Sequence, residues 1–157
     1  SKSISINPGD ADAYFNRALL LEEVFSKYEE AIKDYDMVIY LSPDDAIAYS
    51  NSAYTHEMLG NILDAIKDYE KAIELLPEDY WAYGGLGGIY IDLNKNQEAI
   101  DVLTRAIILN PKDGWLYYNR GVAYFNSGIY TEACSDWRQA DSRNYPDAKI
   151  ALKEDCR

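Results

Sequence analysis

Apolar, small and polar residues recur along this chain at an interval of 34 or 35 residues. Each interval holds a tyrosine, then an alanine, then a large residue and then a small one, at constant offsets. The tyrosines are Tyr14, Tyr49, Tyr83 and Tyr117, the alanines Ala31, Ala65, Ala99 and Ala133, the large residues Tyr35, Tyr69, Leu103 and Trp137, and the small ones Val38, Ala72, Ala106 and Ala140. Charged residues such as Asp64 and Lys67 stand between them at helical spacing, which indicates a solvated helix face. The pattern predicts four copies of one helical unit.

Prolines and aspartates mark the borders between these units. The prolines are Pro8, Pro43, Pro77 and Pro111, and the aspartates Asp10, Asp45, Asp79 and Asp113 each follow a proline by two residues. Proline ends a helix because it lacks an N–H group and restricts the residue before it. The aspartate can then accept hydrogen bonds from the first N–H groups of the next helix, so we expect a helix to begin after each one.

Each unit is predicted to be an antiparallel hairpin of two helices. The turns are expected near Ser26, Gly60, Asn94 and Gly128. Small residues in the first helix of each unit would let the two helices approach closely, and they are Ala18, Ala53, Gly87 and Gly121. The large aromatic residues would then fill the gaps between layers.

This pattern resembles the tetratricopeptide repeat family, whose period is about 34 residues. The match extends from Pro8 to about Tyr145. The resemblance implies an all-α fold, a right-handed superhelical solenoid of antiparallel helix–turn–helix hairpins, with the first helices lining a concave groove. The expected division is 1–8 as the tail of a preceding repeat helix, 9–43 as a first repeat with one inserted residue near Val24–Ser26, then repeats at 44–77, 78–111 and 112–145, and a capping helix at 146–157.

The two ends of the chain carry further expectations. Ile4 and Ile6 align with Ile39 and Leu41 of a second helix, so the chain is expected to start inside a repeat, with a frayed natural end as the alternative. An apolar face left open there could lead to self-association. At the other end, the pattern of 146–157 predicts an amphipathic helix whose polar side faces water.

The two cysteines fall at equal distances from the expected loop at Tyr145. Cys134 lies 11 residues before it and Cys156 lies 11 residues after it, so antiparallel helices would bring them to similar depth. A disulfide is therefore sterically allowed, and it would indicate an oxidising compartment such as a periplasm, or export. The alternative is two unrelated thiols in a cytoplasmic protein.

The charge of the chain argues against two classes of binding partner. The formal net charge is −12, from 15 lysines and arginines against 27 aspartates and glutamates. Such a surface repels phosphate backbones and anionic lipid, which argues against nucleic acid and membrane binding. No apolar run approaches the roughly 20 residues that a membrane-spanning helix needs.

Nothing in the sequence predicts catalysis, a metal or a cofactor. His56 is the single histidine, and no other histidine is present to share a metal with it. The glycines of 84–88 are expected in the middle of a helix, where they cannot cradle a phosphate. We therefore expect a non-enzymatic protein.

The resemblance also implies which residues line the groove. The predicted peptide-binding residues are Phe15, Asn16, Asn51, Tyr54, Trp81, Gly84, Gly85, Gly88, Trp115, Tyr118, Asn119 and Phe125. Three asparagines share one register, and their amides could grip a peptide backbone or, alternatively, tie neighbouring helices together. Gly84, Gly85 and Gly88 would leave a recess for a bulky ligand side chain, unless Trp115 or Tyr118 already fills it.

The predicted groove contains aromatic and acidic residues but no lysine or arginine. Its acidic members are Asp12, Glu22, Glu23, Glu57 and Asp92. Family members that hold the acidic tails of heat-shock chaperones use basic residues, so such a partner is not expected. The prediction is a protein-interaction scaffold for a neutral or basic peptide or a partner helix. The alternatives are a structural spacer or oligomerisation module of a longer repeat protein, and a glycan-binding module.

Overall fold

The computed structural model describes residues 9–156, apart from the side chain of Glu23. Within this part the chain forms nine α-helices and no strand. They are α1 (Ala11–Glu23), α2 (Tyr28–Leu41), α3 (Ala46–Met58), α4 (Ile62–Leu75), α5 (Tyr80–Asp92), α6 (Asn96–Leu109), α7 (Gly114–Asn126), α8 (Tyr130–Ser142) and α9 (Ala148–Asp155). The chain divides into two compact units, Ser1–Pro77 and Glu78–Arg157. The predicted repeat tail at 1–8, with Ile4 and Ile6, lies outside the described residues.

The four border aspartates cap the first helices, as predicted. Asp10 accepts a hydrogen bond from the N–H of Ala13 at 3.1 Å, and Asp113 accepts one from the N–H of Trp115 at 3.0 Å. Asp45 and Asp79 each accept from two backbone N–H groups of the helix that follows. These bonds satisfy donors that the helix itself leaves unpaired, which explains why each helix begins where it does.

The second helices begin differently, because each follows a tight turn rather than a side-chain cap. Gly60 and Gly128 have φ angles of 77° and 76°, and Ser26 and Asn94 have φ angles of 51° and 56°. Glycine and asparagine adopt this left-handed region with little strain, whereas serine adopts it less readily. All four predicted turns are confirmed at these residues.

The turn of the first hairpin is one residue longer than the later turns, which agrees with the expected insertion. The later turns close with a hydrogen bond between residues five apart, such as the N–H of Asn61 to the carbonyl of His56 at 2.9 Å. In the first turn the N–H of Lys27 instead donates to the carbonyl of Leu21, six residues back, at 2.8 Å. The additional residue widens the turn between α1 and α2, and the helices on both sides keep their lengths.

In the unit Ser1–Pro77 the repeated residues form the interior. Tyr35, Tyr69, Ala18 and Ala53 are fully buried. Glu22, predicted to line the groove, is buried instead, with 7% of its surface exposed. Its carboxylate accepts from the hydroxyls of Tyr35 at 3.0 Å and Thr55 at 2.8 Å, so it links α1 to α2 and α3.

In the unit Glu78–Arg157 glycine replaces alanine where paired helices meet. A Cβ atom on Gly87 would lie 2.5 Å from Cγ of Leu103, and one on Gly121 would lie 2.5 Å from Nε1 of Trp137. The predicted role of these two glycines, close approach of the hairpin helices, is therefore confirmed. The side chains of Leu103 and Trp137 occupy the space that the missing Cβ atoms leave.

The last helix packs against α8. Ala148 is fully buried at the start of α9. The Sγ atoms of Cys134 and Cys156 form a disulfide that joins α8 to the end of α9, with 5.7 Å between the two Cα atoms. Among the described residues, none of the helices has the length and apolar character needed to cross a membrane.

Candidate functional site

The predicted asparagines make hydrogen bonds within their own helices. The side-chain amide of Asn16 donates to the carbonyl of Asp12 at 2.8 Å, and that of Asn51 donates to the carbonyl of Ile47 at 2.8 Å. The interpretation in which these two residues tie neighbouring helices together is therefore wrong. Each bond uses one N–H group of the side-chain amide and fixes its rotamer. The amide oxygen does not take part in this bond and keeps its capacity to accept.

The aromatic residues of the first unit are partly covered. Phe15 packs edge-on against Tyr35, with 5.9 Å between the ring centroids. Tyr54 is half-buried, and this burial raises the pKa of its hydroxyl. On the same helix as Asn51, two residues leave large apolar surfaces open, since Ile47 is 56% and Met58 is 43% exposed.

In the glycine-rich helix α5, the space next to one glycine is filled and the space next to another is open. Gly84 is buried, and a Cβ atom there would lie 2.5 Å from the six-membered ring of Trp115 on α7. The prediction that Gly84 lines a recess is thus wrong, because Trp115 occupies that space. A Cβ atom on Gly88 would meet nothing within 4 Å.

The open part of the α5 face carries one exposed aromatic ring. Trp81 and Gly88 are seven residues apart, which places them on the same side of the helix two turns apart. Trp81 is 37% exposed, and Gly85 between them is half-buried. The recess predicted from three glycines is therefore reduced to the open space at Gly88, two turns along the same side of the helix from the indole of Trp81.

Tyr118 and Phe125 on α7 face the capping helix. Tyr118 stacks at a tilt on Tyr145, with ring centroids 4.9 Å apart. Phe125 contacts Tyr130 and Trp137 at centroid distances of 5.2 and 5.5 Å. Asn119, between them in sequence, is partly buried.

A pocket of about 330 Å³ opens beside Tyr118 and Phe125, and we call it the cap pocket. It is lined by Tyr118, Val122, Phe125, Trp137, Asp147, Ile150, Ala151, Glu154 and Asp155. Burial raises the pKa of the Tyr118 hydroxyl, and the negative charges of Asp147 and Asp155 raise it further. The sequence placed Glu154 and Asp155 on a water-facing side and missed that they border a cavity.

The single histidine, His56, lies on α3 and contacts Asn61. Nδ1 of His56 lies 3.4 Å from the side-chain nitrogen of Asn61. It also borders a depression of about 620 Å³ between α2, α3 and α4, whose other lining residues are mainly aspartates, glutamates and lysines. Within residues 9–156 no three histidine, cysteine, aspartate or glutamate side chains are grouped to hold a metal ion.

Three family models match the chain, and all describe tetratricopeptide repeats. They match residues 1–33, 46–79 and 87–128, which together are well over half of the sequence. The chain belongs to the tetratricopeptide repeat family. No curated protein sequence is significantly similar to it.

Solved structures of other tetratricopeptide repeat proteins superpose on this one. MamA is 22% identical, with a TM-score of 0.84 over 94% of this chain and 86% of MamA. YrrB, described as a TPR protein with an unusual peptide-binding site, is 28% identical, with a TM-score of 0.80 over 98% of this chain and 83% of its own. PilF of Pseudomonas aeruginosa is 17% identical, with a TM-score of 0.86 over 96% of this chain and 68% of its own. The all-α fold of repeated helical hairpins is thus confirmed.

Proposed function

We propose that this protein is a non-catalytic interaction scaffold that binds a neutral or basic peptide, or a helix of a partner protein, against its first helices. Tetratricopeptide repeats expose these helices as a binding surface in peptide-binding members of the family. YrrB, with its described peptide-binding site, has the same fold over nearly the whole of this chain. The net charge of −12 favours a partner that is not itself acidic.

The observation that carries this proposal is the accessible indole of Trp81 on the same side of α5 as the open space at Gly88, two helical turns further along. An aromatic ring that is fixed on a helix offers a large contact area at small entropic cost, and such rings are common anchors of interfaces. The space at Gly88 is open, since a Cβ atom there would meet no atom within 4 Å, so a ligand side chain can approach the helix at this position. In the other unit, Asn51 shares one side of α3 with the exposed Ile47 and Met58, four residues before it and seven after it, so a ligand there would meet both polar and apolar groups.

The test is selection of binding peptides from a random library, followed by titration of an enriched peptide. We expect Trp81→Ala to weaken its binding by about tenfold, which corresponds to about 1.4 kcal/mol. Tyr40→Ala is the matched control, because Tyr40 lies on the second helix α2 and is 79% exposed. The control should retain full affinity.

Two results would contradict the proposal. One is a selection that enriches no peptide, while the chain forms a stable oligomer in light scattering, as a purely structural module would. The other is an enriched peptide whose affinity is unchanged by both Trp81→Ala and Asn51→Ala.

A further inference from the structure

The cap pocket combines an aromatic floor with an acidic rim. Tyr118, Phe125 and Trp137 provide rings from α7 and α8, and α9 with its preceding loop provides the carboxylates of Asp147, Glu154 and Asp155. Its lining includes three carboxylates and no lysine or arginine. The disulfide between Cys134 and Cys156 holds the acidic end of α9 in place, because Cys156 directly follows Asp155.

Among the described residues the rim carboxylates form no ion pair, although Asp147 is hydrogen-bonded to the side chain of Tyr145. Glu154 and Asp155 are exposed, and neither forms an ion pair with any residue in 9–156. The protein does pair its carboxylates elsewhere, as in Arg17 with Asp34 and Arg120 with Asp136. The pocket therefore places three carboxylates, none of them in an ion pair within the described residues, beside aromatic side chains, and both groups attract cations.

We propose that the cap pocket receives the cationic side chain, arginine or lysine, of a basic peptide that the scaffold binds. This inference rests on the function proposed above and specifies the chemistry of its ligand. A cation over an aromatic face gains about 0.5–2 kcal/mol, depending on how far it is desolvated. The rim carboxylates add charge-assisted hydrogen bonds to the N–H groups of the same cation.

The size and position of the pocket suit such a side chain. Its volume of about 330 Å³ admits the aliphatic stem and the planar head of an arginine. The fold already stacks arginine on tyrosine, since the guanidinium of Arg143 lies 4.2 Å from the ring centroid of Tyr117. Tyr118 and Phe125 belong to α7, a first helix, so a peptide on that helix could place one side chain into the pocket.

The test uses the whole chain with its disulfide intact and two short peptides, acetyl-Ala-Arg-Ala-amide and its citrulline counterpart. Citrulline has nearly the same shape as arginine but carries no charge. In ¹H–¹⁵N correlation spectra we expect the arginine peptide to shift the amide signals of Tyr118, Ile150 and Ala151 in a saturable way. The citrulline peptide should leave them in place.

A charge-matched pair of variants separates the pocket from the general acidity of the protein. Glu154→Gln with Asp155→Asn should weaken binding of the arginine peptide by about tenfold. The control is Glu98→Gln with Glu132→Gln, which removes the same two negative charges from exposed sites of α6 and α8 outside the pocket. Equal loss in both pairs, or equal shifts with citrulline, would overturn the proposal.

The two proposals can fail separately. If the arginine peptide produces no shifts in the cap pocket but a selected peptide still depends on Trp81, the scaffold function stands and the pocket assignment is wrong. The opposite result is that the arginine peptide binds in the pocket while none of the longer library peptides binds to the first helices. In that case the peptide-scaffold function is wrong.

Discussion

Arg120 donates from Nε and Nη2 to the two carboxylate oxygens of Asp136, at 2.7 and 2.8 Å. This bidentate pair joins α7 to α8 inside the hairpin, where 17% of the Arg120 side chain and 7% of the Asp136 side chain are exposed. Arg17 and Asp34 form the same pair in the first hairpin, and Ser52 donates to Asp68 at the equivalent place in the second. The third hairpin has Leu86 and Val102 there, so the fold accepts an apolar pair at this position.

Removal of one partner from the Arg120–Asp136 pair should destabilise the protein. Asp136→Ala leaves a largely buried guanidinium without its carboxylate, and we expect a loss of about 3 kcal/mol in the free energy of unfolding. Arg120→Leu with Asp136→Val copies the third hairpin and should cost much less, because no buried charge is left unpaired. Urea denaturation measures both. A double variant as unstable as Asp136→Ala would refute this account.

Replacement by alanine should change the stability of the protein in opposite directions at the neighbouring residues Gly87 and Gly88. Gly87→Ala places a Cβ atom 2.5 Å from Cγ of Leu103, and we expect it to destabilise the protein by about 1–3 kcal/mol through overpacking. Gly88→Ala enters open space on the same helix and should stabilise it by about 0.5–1 kcal/mol. Thermal unfolding distinguishes them, and equal changes would contradict the packing assigned to α5.

Gly88→Leu extends this comparison to binding. A leucine should fill the space beside Trp81 and abolish binding of a selected peptide, while the helix becomes more stable than with glycine. Gly88→Ala is the smaller control and should weaken binding only slightly. Unchanged affinity with leucine would show that the ligand does not use this space.

Asp68 should make the stability of the first unit depend on pH. Burial raises the pKa of its carboxyl, and the hydrogen bond from Ser52 opposes this rise. Because the folded-state pKa lies above that of the unfolded chain, the folded state holds the proton more tightly. This stabilising contribution is present at low pH and is lost as the pH rises through the folded-state pKa.

Asp68→Asn removes that dependence and should raise the free energy of unfolding at about pH 7 while changing it little at about pH 3. The asparagine oxygen can still accept from Ser52. Glu70→Gln, an exposed carboxylate on the same helix, controls for the loss of one negative charge. Denaturant titrations at the two pH values test this, and a stabilisation independent of pH would contradict it.

The disulfide should stabilise the capping helix and the cap pocket. It closes a loop with a sequence separation of 22 residues, and loop-closure entropy predicts a contribution of about 3 kcal/mol. We expect Cys134→Ser with Cys156→Ser to lower stability by roughly this amount and to weaken binding of the arginine peptide. Titration of thiols in the denatured protein provides the direct check, with none expected in the oxidised chain and two after reduction. Equal arginine binding in both forms would show that α9 stays in place without the bond.

Much of this fold is visible in the sequence because each signal is local. A proline, an aspartate two residues later and a glycine at a turn act through backbone geometry and caps, which do not depend on distant residues. The caps at Asp45 and Asp79 and the turns at Gly60 and Gly128 are confirmed for that reason. The small residues at helix crossings follow from the same regular spacing.

The candidate site was harder to predict, because it depends on which side chains of neighbouring helices pack against each of its residues. The family resemblance implied that Gly84 and Glu22 line an open groove. In the structure Trp115 covers Gly84, and the hydroxyls of Tyr35 and Thr55 donate hydrogen bonds to Glu22. The cap pocket depends on how α9 packs on α8, which no repeat spacing describes. One overlooked signal was present, since arginine and aspartate 16 or 17 residues apart recur in the first and fourth hairpins.

Helix α5 has glycine at four of its 13 positions, at 84, 85, 87 and 88. In isolation these would disfavour the helix by about 2–4 kcal/mol relative to alanine, so its order depends on contacts such as Trp115 over Gly84 and Leu103 against Gly87. Such a segment can open locally while the rest of the chain stays folded. Its amide protons should therefore exchange with solvent faster than those of α6, and a ligand that bridges Trp81 and the space over Gly88 would slow that exchange. Recognition by this protein would then be coupled to the ordering of its glycine-rich helix.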